Sequence, residues 1–364
     1  MTRSLYLGHY AGIKVQIHWS FWLLILFVAF LVYSAGGTFV DALWHIGFIA
    51  ALFLCVVLHE FGHALTARKY GIDTRSITLL PIGGLASLKE IPEDPKEEFM
   101  IAIAGPAVNV VIAIILYFFV PVEQYIGIEP ELLEEQLGTI SGGNFLFYLF
   151  MANIALVTFN MLPAFPLDGG RVLRALLSAK MGRVRATQTA ATFGKLLAVL
   201  FFIIGLFYNL ILAIIAVFIY FGAESENVLV IQLNLLSPYK VRDAMIRRFT
   251  ILHPEDTLHK VVDMILEGTE RDFVVASEDG IVGIILISNL PNTLEEYHQG
   301  TRVKEVMEKN FKVLHPDDPL TEAYRELASR NTSFFPVVEF GRITGVIDMQ
   351  NIHEFIQFRA RLDY

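Results

Sequence analysis

Apolar residues fill the first 222 positions in runs too long for a water-soluble fold. A bilayer core needs about 20 predominantly apolar residues per helix, and residues 15–33, 43–65, 99–120 and 145–162 each meet that requirement. Residues 196–223 are then nearly unbroken, interrupted only by Asn209. That stretch is either one long helix or a hairpin turning at Tyr208 and Asn209, with its first arm extended back through residues 187–195. Beyond residue 222 the pattern changes to short strand-like and helix-like segments of ordinary soluble character.

Loop charge decides between the two readings of the fifth run. The 67–98 loop carries Arg68, Lys69, Arg75, Lys89 and Lys96, and the 167–190 loop carries Arg171, Arg174, Lys180, Arg183 and Arg185. The 34–42 and 121–143 loops hold no Lys or Arg. Basic loops stay on the cytoplasmic side, so the amino end, with Arg3 and Lys14, is inside. A hairpin then returns the polar tail to the cytoplasm, whereas a single span would export it. Six spans with both termini inside follow. The first run is longer than the apolar part of a cleaved signal peptide, which favours a retained helix over cleavage near Ala35, Gly36 and Gly37.

Composition agrees with this division. The chain is 54% apolar and 18% charged, with a mean hydropathy of +0.54, which excludes a soluble enzyme and a disordered protein. Residues 1–222 hold 13 Lys/Arg and 14 Asp/Glu; residues 223–364 hold 15 and 23. The net charge of −9 therefore sits almost wholly in the tail and argues against nucleic-acid binding. Cys55 is the one cysteine, so neither an internal disulfide nor a cysteine-based zinc site is available.

The second run ends in His59-Glu60-Phe61-Gly62-His63. Residues four apart share a helix face, so both imidazoles can address one metal ion. Glu60 is near enough to reach a metal-bound water without being a ligand. Ionisable groups inside a span are costly and default to function. Zinc needs a third protein ligand and leaves its fourth position for water. His9, His18 and His45 form no second motif; His18 and His45 sit beside Trp19 and Trp44 as interfacial anchors. Asp168 is the candidate third ligand. It follows the fourth run in a segment broken by Pro163 and Pro166 and turned by Gly169 and Gly170, irregular backbone that suits a cavity at membrane depth.

These pieces together resemble the site-2 proteases, zinc metallopeptidases that cleave substrates inside the membrane. The matching segments are residues 59–63, Gly105-Pro106-Ala107-Val108-Asn109, and residues 160–170, in the family's order on the expected spans. The resemblance implies one zinc ion held by His59, His63 and Asp168, with Glu60 as the catalytic base. It also implies a membrane-embedded protein substrate within the lipid bilayer. In such chemistry a metal-bound water is acidic near pH 7, and Glu60 takes its proton and delivers it to the departing amine. Asn160 matches an asparagine thought to lie at the family's active site. Its amide either donates to an oxyanion or satisfies backbone freed by Pro163.

Several neighbouring segments carry structural expectations. Residues 75–88 read as two short strands around Pro81, Ile82, Gly83 and Gly84. In the family such a sheet lies beside the active site, where it either pairs with an unwound substrate or simply packs under the bundle. Asp94, Pro95 and Glu97 start the third helix as cap, first residue and first-turn acid. Gly105 and Pro106 should kink that helix and allow close packing, with Asn109 bonding to a neighbour.

The tail is a repeat at a separation of 62. Val241-Arg-Asp-Ala-Met245 answers Val303-Lys-Glu-Val-Met307, residues 252–256 answer 314–318, and Asn289 answers Asn351. Each copy reads as a short strand, a helix (257–266 and 320–329), two strands around a glycine turn and a final helix. This resembles a tandem pair of CBS domains. The resemblance implies a regulatory or dimerising module, and an adenine nucleotide between the repeats. The positions that would contact ribose hold Leu286, Asn289, Asp348 and Asn351, of which only Asp348 is a carboxylate. A nucleotide site at Asp348 and a ligand-free module both stay open.

The expected architecture is thus a six-span α-helical membrane protein followed by an α/β tandem CBS module. Its parts are a membrane peptidase domain (1–222), a linker (223–238) and two CBS domains (239–298 and 299–364), the latter cytoplasmic and able to support a homodimer. Two rivals are a CBS-regulated ion transporter and an inactive membrane-binding homologue. A transporter would spread charge over several spans, and an inactive homologue would have no need of Glu60.

Overall fold

The computed structural model describes residues 4–81, 83–88, 92, 94–125, 138–268, 270–278, 280–291, 293, 298, 300–329 and 333–362. Lys89, residues 126–137 of the 121–143 loop, and Ile82 of the expected turn lie outside them. The chain divides into two units, Met1–Val228 and Leu229–Tyr364.

The first unit opens with two strands, β1 (Ser4–Tyr10) and β2 (Ile13–His18), before its first helix, α1 (Phe21–Ser34). The expected first span is corrected here, because residues 15–18 are strand and the helix begins at Phe21. The reason lies in the local pattern. Ile13, Val15 and Ile17 alternate with Lys14, Gln16 and His18, a period of two rather than 3.6. Ile13 and Val15 are buried, and Gln16 Nε2 donates to Thr78 Oγ1 at 2.8 Å.

Helix α2 (Phe39–Lys69) follows, started by a capping box in which Thr38 and Asp41 serve each other's backbone amides. Strands β3 (Thr74–Leu80) and β4 (Gly83–Leu88) form the expected hairpin. Among the described residues these strands make a four-stranded sheet in the order β1-β2-β3-β4, with β2 and β3 parallel. Strand β4 is therefore an edge. Helix α3 (Pro95–Tyr117) starts where expected, Asp94 accepting from the Lys96 amide at 2.7 Å, and runs through Pro106 without a break in assignment.

Helix α4 (Phe145–Asn160) leads into α5 (Asp168–Met181), and α5 is followed by α6 (Arg183–Tyr208) and α7 (Leu210–Leu236). The 167–190 segment, expected as a basic loop, is instead mostly helix. Val172, Leu173, Leu176 and Leu177 repeat at helical spacing there, and Arg174 is buried rather than facing solvent. The break at Asn209 is realised: its backbone is extended and its side chain accepts from the Ile211 amide at 3.0 Å. A Cβ on Gly205 would strike Ala213. A straight helix separates residues eight apart by about 12 Å, so the chain doubles back.

Among the described residues, α2, α3, α6 and α7 are long and apolar enough to cross a membrane, and α1 and α4 are shorter apolar helices. Their outer faces expose Leu26, Phe30, Phe118, Phe207 and Leu210, surface that suits lipid rather than water.

In the second unit the repeat is structural. Helices α9 (Leu258–Glu267) and α11 (Leu320–Ser329) correspond, as do the hairpins β6 (Phe273–Ser277) with β7 (Gly280–Ile285) and β8 (Phe334–Glu339) with β9 (Arg342–Asp348). Both hairpins pair in one register, Val275 opposite Gly283 and Val337 opposite Gly345, and both carry a bulge just after it. Helix α12 (Met349–Leu362) closes the second copy; the segment expected as the first copy's final helix lies partly outside the described residues. The short helices α8 (Val241–Ala244) and α10 (Val303–Val306) are exchanged between the copies. The Ile246 amide donates to Val346 at 2.8 Å, and the Glu308 amide to Ile284 at 2.9 Å. The missing side chain at Gly345 leaves room for Met245, and that at Gly283 for Met307.

Candidate metal centre

His59 and His63 stand one turn apart on α2, and Asp168 is the first residue of α5. All three are buried, at 6%, 6% and 8% exposure. His59 Nε2 lies 3.0 Å from His63 Nε2, and Asp168 Oδ2 lies 3.1 Å and 3.2 Å from the two nitrogens. A tetrahedral zinc with bonds of about 2.0–2.1 Å sets its ligand atoms about 3.3–3.4 Å apart. The donor set therefore fits zinc in type and nearly in spacing.

The other ring nitrogens fix the tautomers. His59 Nδ1 donates to Asn109 Oδ1 at 2.5 Å, and His63 Nδ1 donates to the Ile101 carbonyl at 2.7 Å. Both Nε2 lone pairs are thereby left to face Asp168. Asn109 Nδ2 donates in turn to Asn153 Oδ1 on α4 at 2.8 Å, and Asn153 Nδ2 donates to the Leu149 carbonyl at 2.8 Å. The expected bond from Asn109 to a neighbouring helix thus exists, and it orients the His59 ring. Asn153 was not among the sequence candidates. Its signal is a fully buried amide within an apolar run, where polar groups are expensive.

Glycines make the convergence possible. A Cβ on Gly105 would lie 2.7 Å from His59 Nε2 and collide with His63 as well. A Cβ on Gly62 would meet the Ala104 carbonyl of α3 at 2.6 Å. On α5, Gly169 lies against the carbonyls of Met161 and Leu162, and Gly170 packs on the backbone of Ala164 and Phe165. The chain between α4 and α5 therefore folds tightly onto the first turn of α5, which is how Asp168 reaches the histidines.

Glu60 is half-buried on the next position of α2. Its Cγ would be 2.7 Å from a Cβ on Gly84, so it lies directly against the edge strand β4. Asn160 is the last residue of α4 and half-buried; the asparagines that orient His59 are Asn109 and Asn153. His18 bonds Ser20 and His45 bonds the Asp41 carbonyl, and neither joins the group of His59, His63 and Asp168. Cys55 is buried 3.5 Å from Asn153 Nδ2.

In the second unit Asp348 ends β9, and its Oδ1 accepts from the Asn351 amide at 2.6 Å. It caps α12. Burial pushes its carboxyl above the ordinary value, and nearby Asp272 and Glu354 push the same way. Leu286 is buried and Asn289 exposed. A second group of metal-type side chains, His315, Asp317 and Glu339, is largely exposed, and Asp317 is already paired with Lys240 and Arg242.

Residues 47–204 match the model of peptidase family M50, and residues 241–293 and 303–357 each match the CBS domain. The zinc metalloprotease MJ0392 of Methanocaldococcus jannaschii is 35% identical over 355 residues, covering 97% of this chain and 96% of its own. A solved structure of a site-2 protease from Methanocaldococcus jannaschii is 38% identical, covers 62% of this chain and 95% of its own, and has a TM-score of 0.45. The chain belongs to peptidase family M50, the site-2 proteases, and carries a tandem CBS module. It is a metalloprotease.

Proposed function

We propose that this metalloprotease cleaves membrane-spanning protein segments within the bilayer, and that its CBS pair is cytoplasmic and regulatory. The observation that carries this reading is the convergence of His59, His63 and Asp168 inside a bundle of apolar helices, with Glu60 beside an open sheet edge. On this reading α1, α2, α3, α4, α6 and α7 are the six spans, and both termini are inside. The membrane domain covers residues 1–222, the linker 223–238, and the CBS domains 239–298 and 299–364. The linker is then helical through Leu236.

His59, His63 and Asp168 would hold one zinc ion. Zinc, when bound, acidifies a coordinated water to about pH 7 and polarises a scissile carbonyl. Glu60 is the general base: it takes the water proton and hands it to the leaving amine nitrogen. The β4 edge accepts an unwound substrate as an added strand, and Gly84 lets that backbone come close to Glu60. Asn160 is the candidate amide donor to the oxyanion.

The test is zinc analysis of the purified protein, together with cleavage of candidate single-span membrane proteins by the wild type and Glu60→Gln. Zinc at one per chain with cleavage lost in Glu60→Gln supports the assignment. Cleavage that persists in that variant removes Glu60 from the mechanism.

A further inference from the structure

Arg174 lies six residues along α5 from Asp168 and is 1% exposed, deeper than any of the three candidate ligands. Its Nε donates to Glu98 Oε1 at 2.8 Å, Nη2 donates to the same oxygen, and Nη1 donates to Glu226. Glu98 is itself 4% exposed. The guanidinium also covers the fully buried ring of Phe165, 4.9 Å from its centroid. Well-packed apolar side chains often replace a buried charge cluster without loss of stability, so the cluster by itself is weak evidence for a stabilising role.

Two of these partners lie within three residues of elements of the metal centre. Phe165 stands three residues before Asp168, in the turn that delivers it. Glu98 stands three residues before Ile101 on α3, about one helical turn, and the Ile101 carbonyl holds His63 through Nδ1. Arg174 therefore ties the turn carrying one ligand to the stretch of α3 that orients another. The cap position of α5, Leu167, supplies no side-chain hydrogen bond to its first turn. A slide of α5 by about 1 Å would disperse ligand atoms that must be held within about 0.5 Å.

We infer that Arg174 is a positioning residue of the metal centre, setting the register of α5 against α3 so that Asp168 meets the histidine pair. It acts through Asp168 and touches neither metal nor substrate. The inference rests on the three-ligand centre proposed above, and wild-type zinc binding tests that centre separately.

The experiment measures zinc affinity by chelator competition, and the visible spectrum of the cobalt-substituted protein, in the full chain in detergent. Loss of an outer-shell partner of a metal ligand typically weakens metal binding 10–100-fold. Arg174→Met should lower zinc affinity about tenfold or more and weaken the cobalt absorption. Arg185→Met, at an exposed arginine of α6, should change neither. In an Asp168→Ala background Arg174→Met should cause no further loss, because the two changes remove one and the same ligand. Losses that add in the double variant, or wild-type affinity in Arg174→Met, would overturn the inference. If Arg174→Met does not accumulate, Arg174→Lys carries the test: a single ammonium cannot serve two carboxylates and cover a ring. A few-fold loss that Asp168→Ala again abolishes is expected, and unchanged affinity overturns it. A wild type that binds no zinc would instead refute the metal centre itself.

Discussion

Asp168 and Asp348 are both carboxylates at the start of a helix, and both were candidate site residues by sequence. They do opposite things. Asp348 turns back on its own chain and accepts the Asn351 amide, the ordinary fate of an aspartate before a helix. Asp168 stands one position further in, as the first residue of α5 after Leu167. It points its carboxylate at two histidines from another helix. The two differ in position: Asp348 stands before its helix, where its carboxylate reaches the backbone, and Asp168 stands inside its helix, where the carboxylate faces another element. Gly169 and Gly170, whose missing side chains let the preceding turn lie on the helix end, hold Asp168 in that place.

The sharpest test of that contrast is exchange of roles. Asp168→Ala should lower zinc occupancy at limiting metal, leaving only the weaker binding of the histidine pair, and abolish proteolysis, whereas Asp348→Ala should leave both intact. Loss of its cap should weaken α12 by about 1 kcal/mol, read as a lower melting temperature of the tail. Zinc at one per chain in Asp168→Ala at limiting metal would break the comparison.

Gly105→Ala should come next, with the metal bound many-fold more weakly, because the added methyl occupies the space of both imidazoles. Asn109→Leu should be milder, about 10–100-fold in metal affinity, since it frees the His59 ring while leaving all three ligands present. Equal zinc affinity in Asn109→Leu and wild type would show that the Asn109–Asn153 relay is packing alone.

Nucleotide binding is the next smaller effect. Titration of ATP and AMP into the full chain should give weak or no binding, because Leu286, Asn289 and Asn351 leave Asp348 as the one carboxylate among the four ribose positions. Micromolar binding that survives Asp348→Ala would show that the cleft uses other groups.

The smallest effect is electrostatic. The folded carboxyl of Asp348 is raised above its unfolded value, so folding favours the protonated form. That contribution is present below the ordinary carboxylate range and is lost as pH rises through the raised value. Asp348→Asn keeps a good helix cap and removes the ionisation. It should therefore raise the melting temperature of the tail at neutral pH and leave it unchanged in acid. Glu255 and Asp317 run the other way: their bonds to Lys304 and Lys240 respectively, opposed by some desolvation, lower their values. Their contribution holds above the ordinary carboxylate range and fades as pH falls through the lowered values.

Much of this was legible along the chain because it depends on neighbours in sequence. The spacing of His59 and His63 is a property of one helix. The break at Asn209 is an isolated polar residue in an apolar run, and the repeat at 62 residues announces the paired hairpins. The start of α3 at Asp94 and Pro95 is likewise local chemistry.

What tertiary structure decided are contacts between residues far apart in the chain. Alternation at residues 13–18 was present in the sequence, but an apolar run on its C-terminal side masked it. Pairing with β1 on one side and β3 on the other makes residues 15–18 a strand. Arg174 reads as one more basic loop residue until Glu98 and Glu226 arrive from two other helices. Asn153 carries no motif, and its amide gains meaning from Asn109, 44 residues away. The exchange of α8 and α10 between the CBS copies is equally invisible, because a repeat marks which segments are alike and not which of the two hairpins each one packs against. Periodicity and local chemistry determine helices, caps and a histidine pair on one face; long-range packing determines which carboxylate, and which buried charge, joins them.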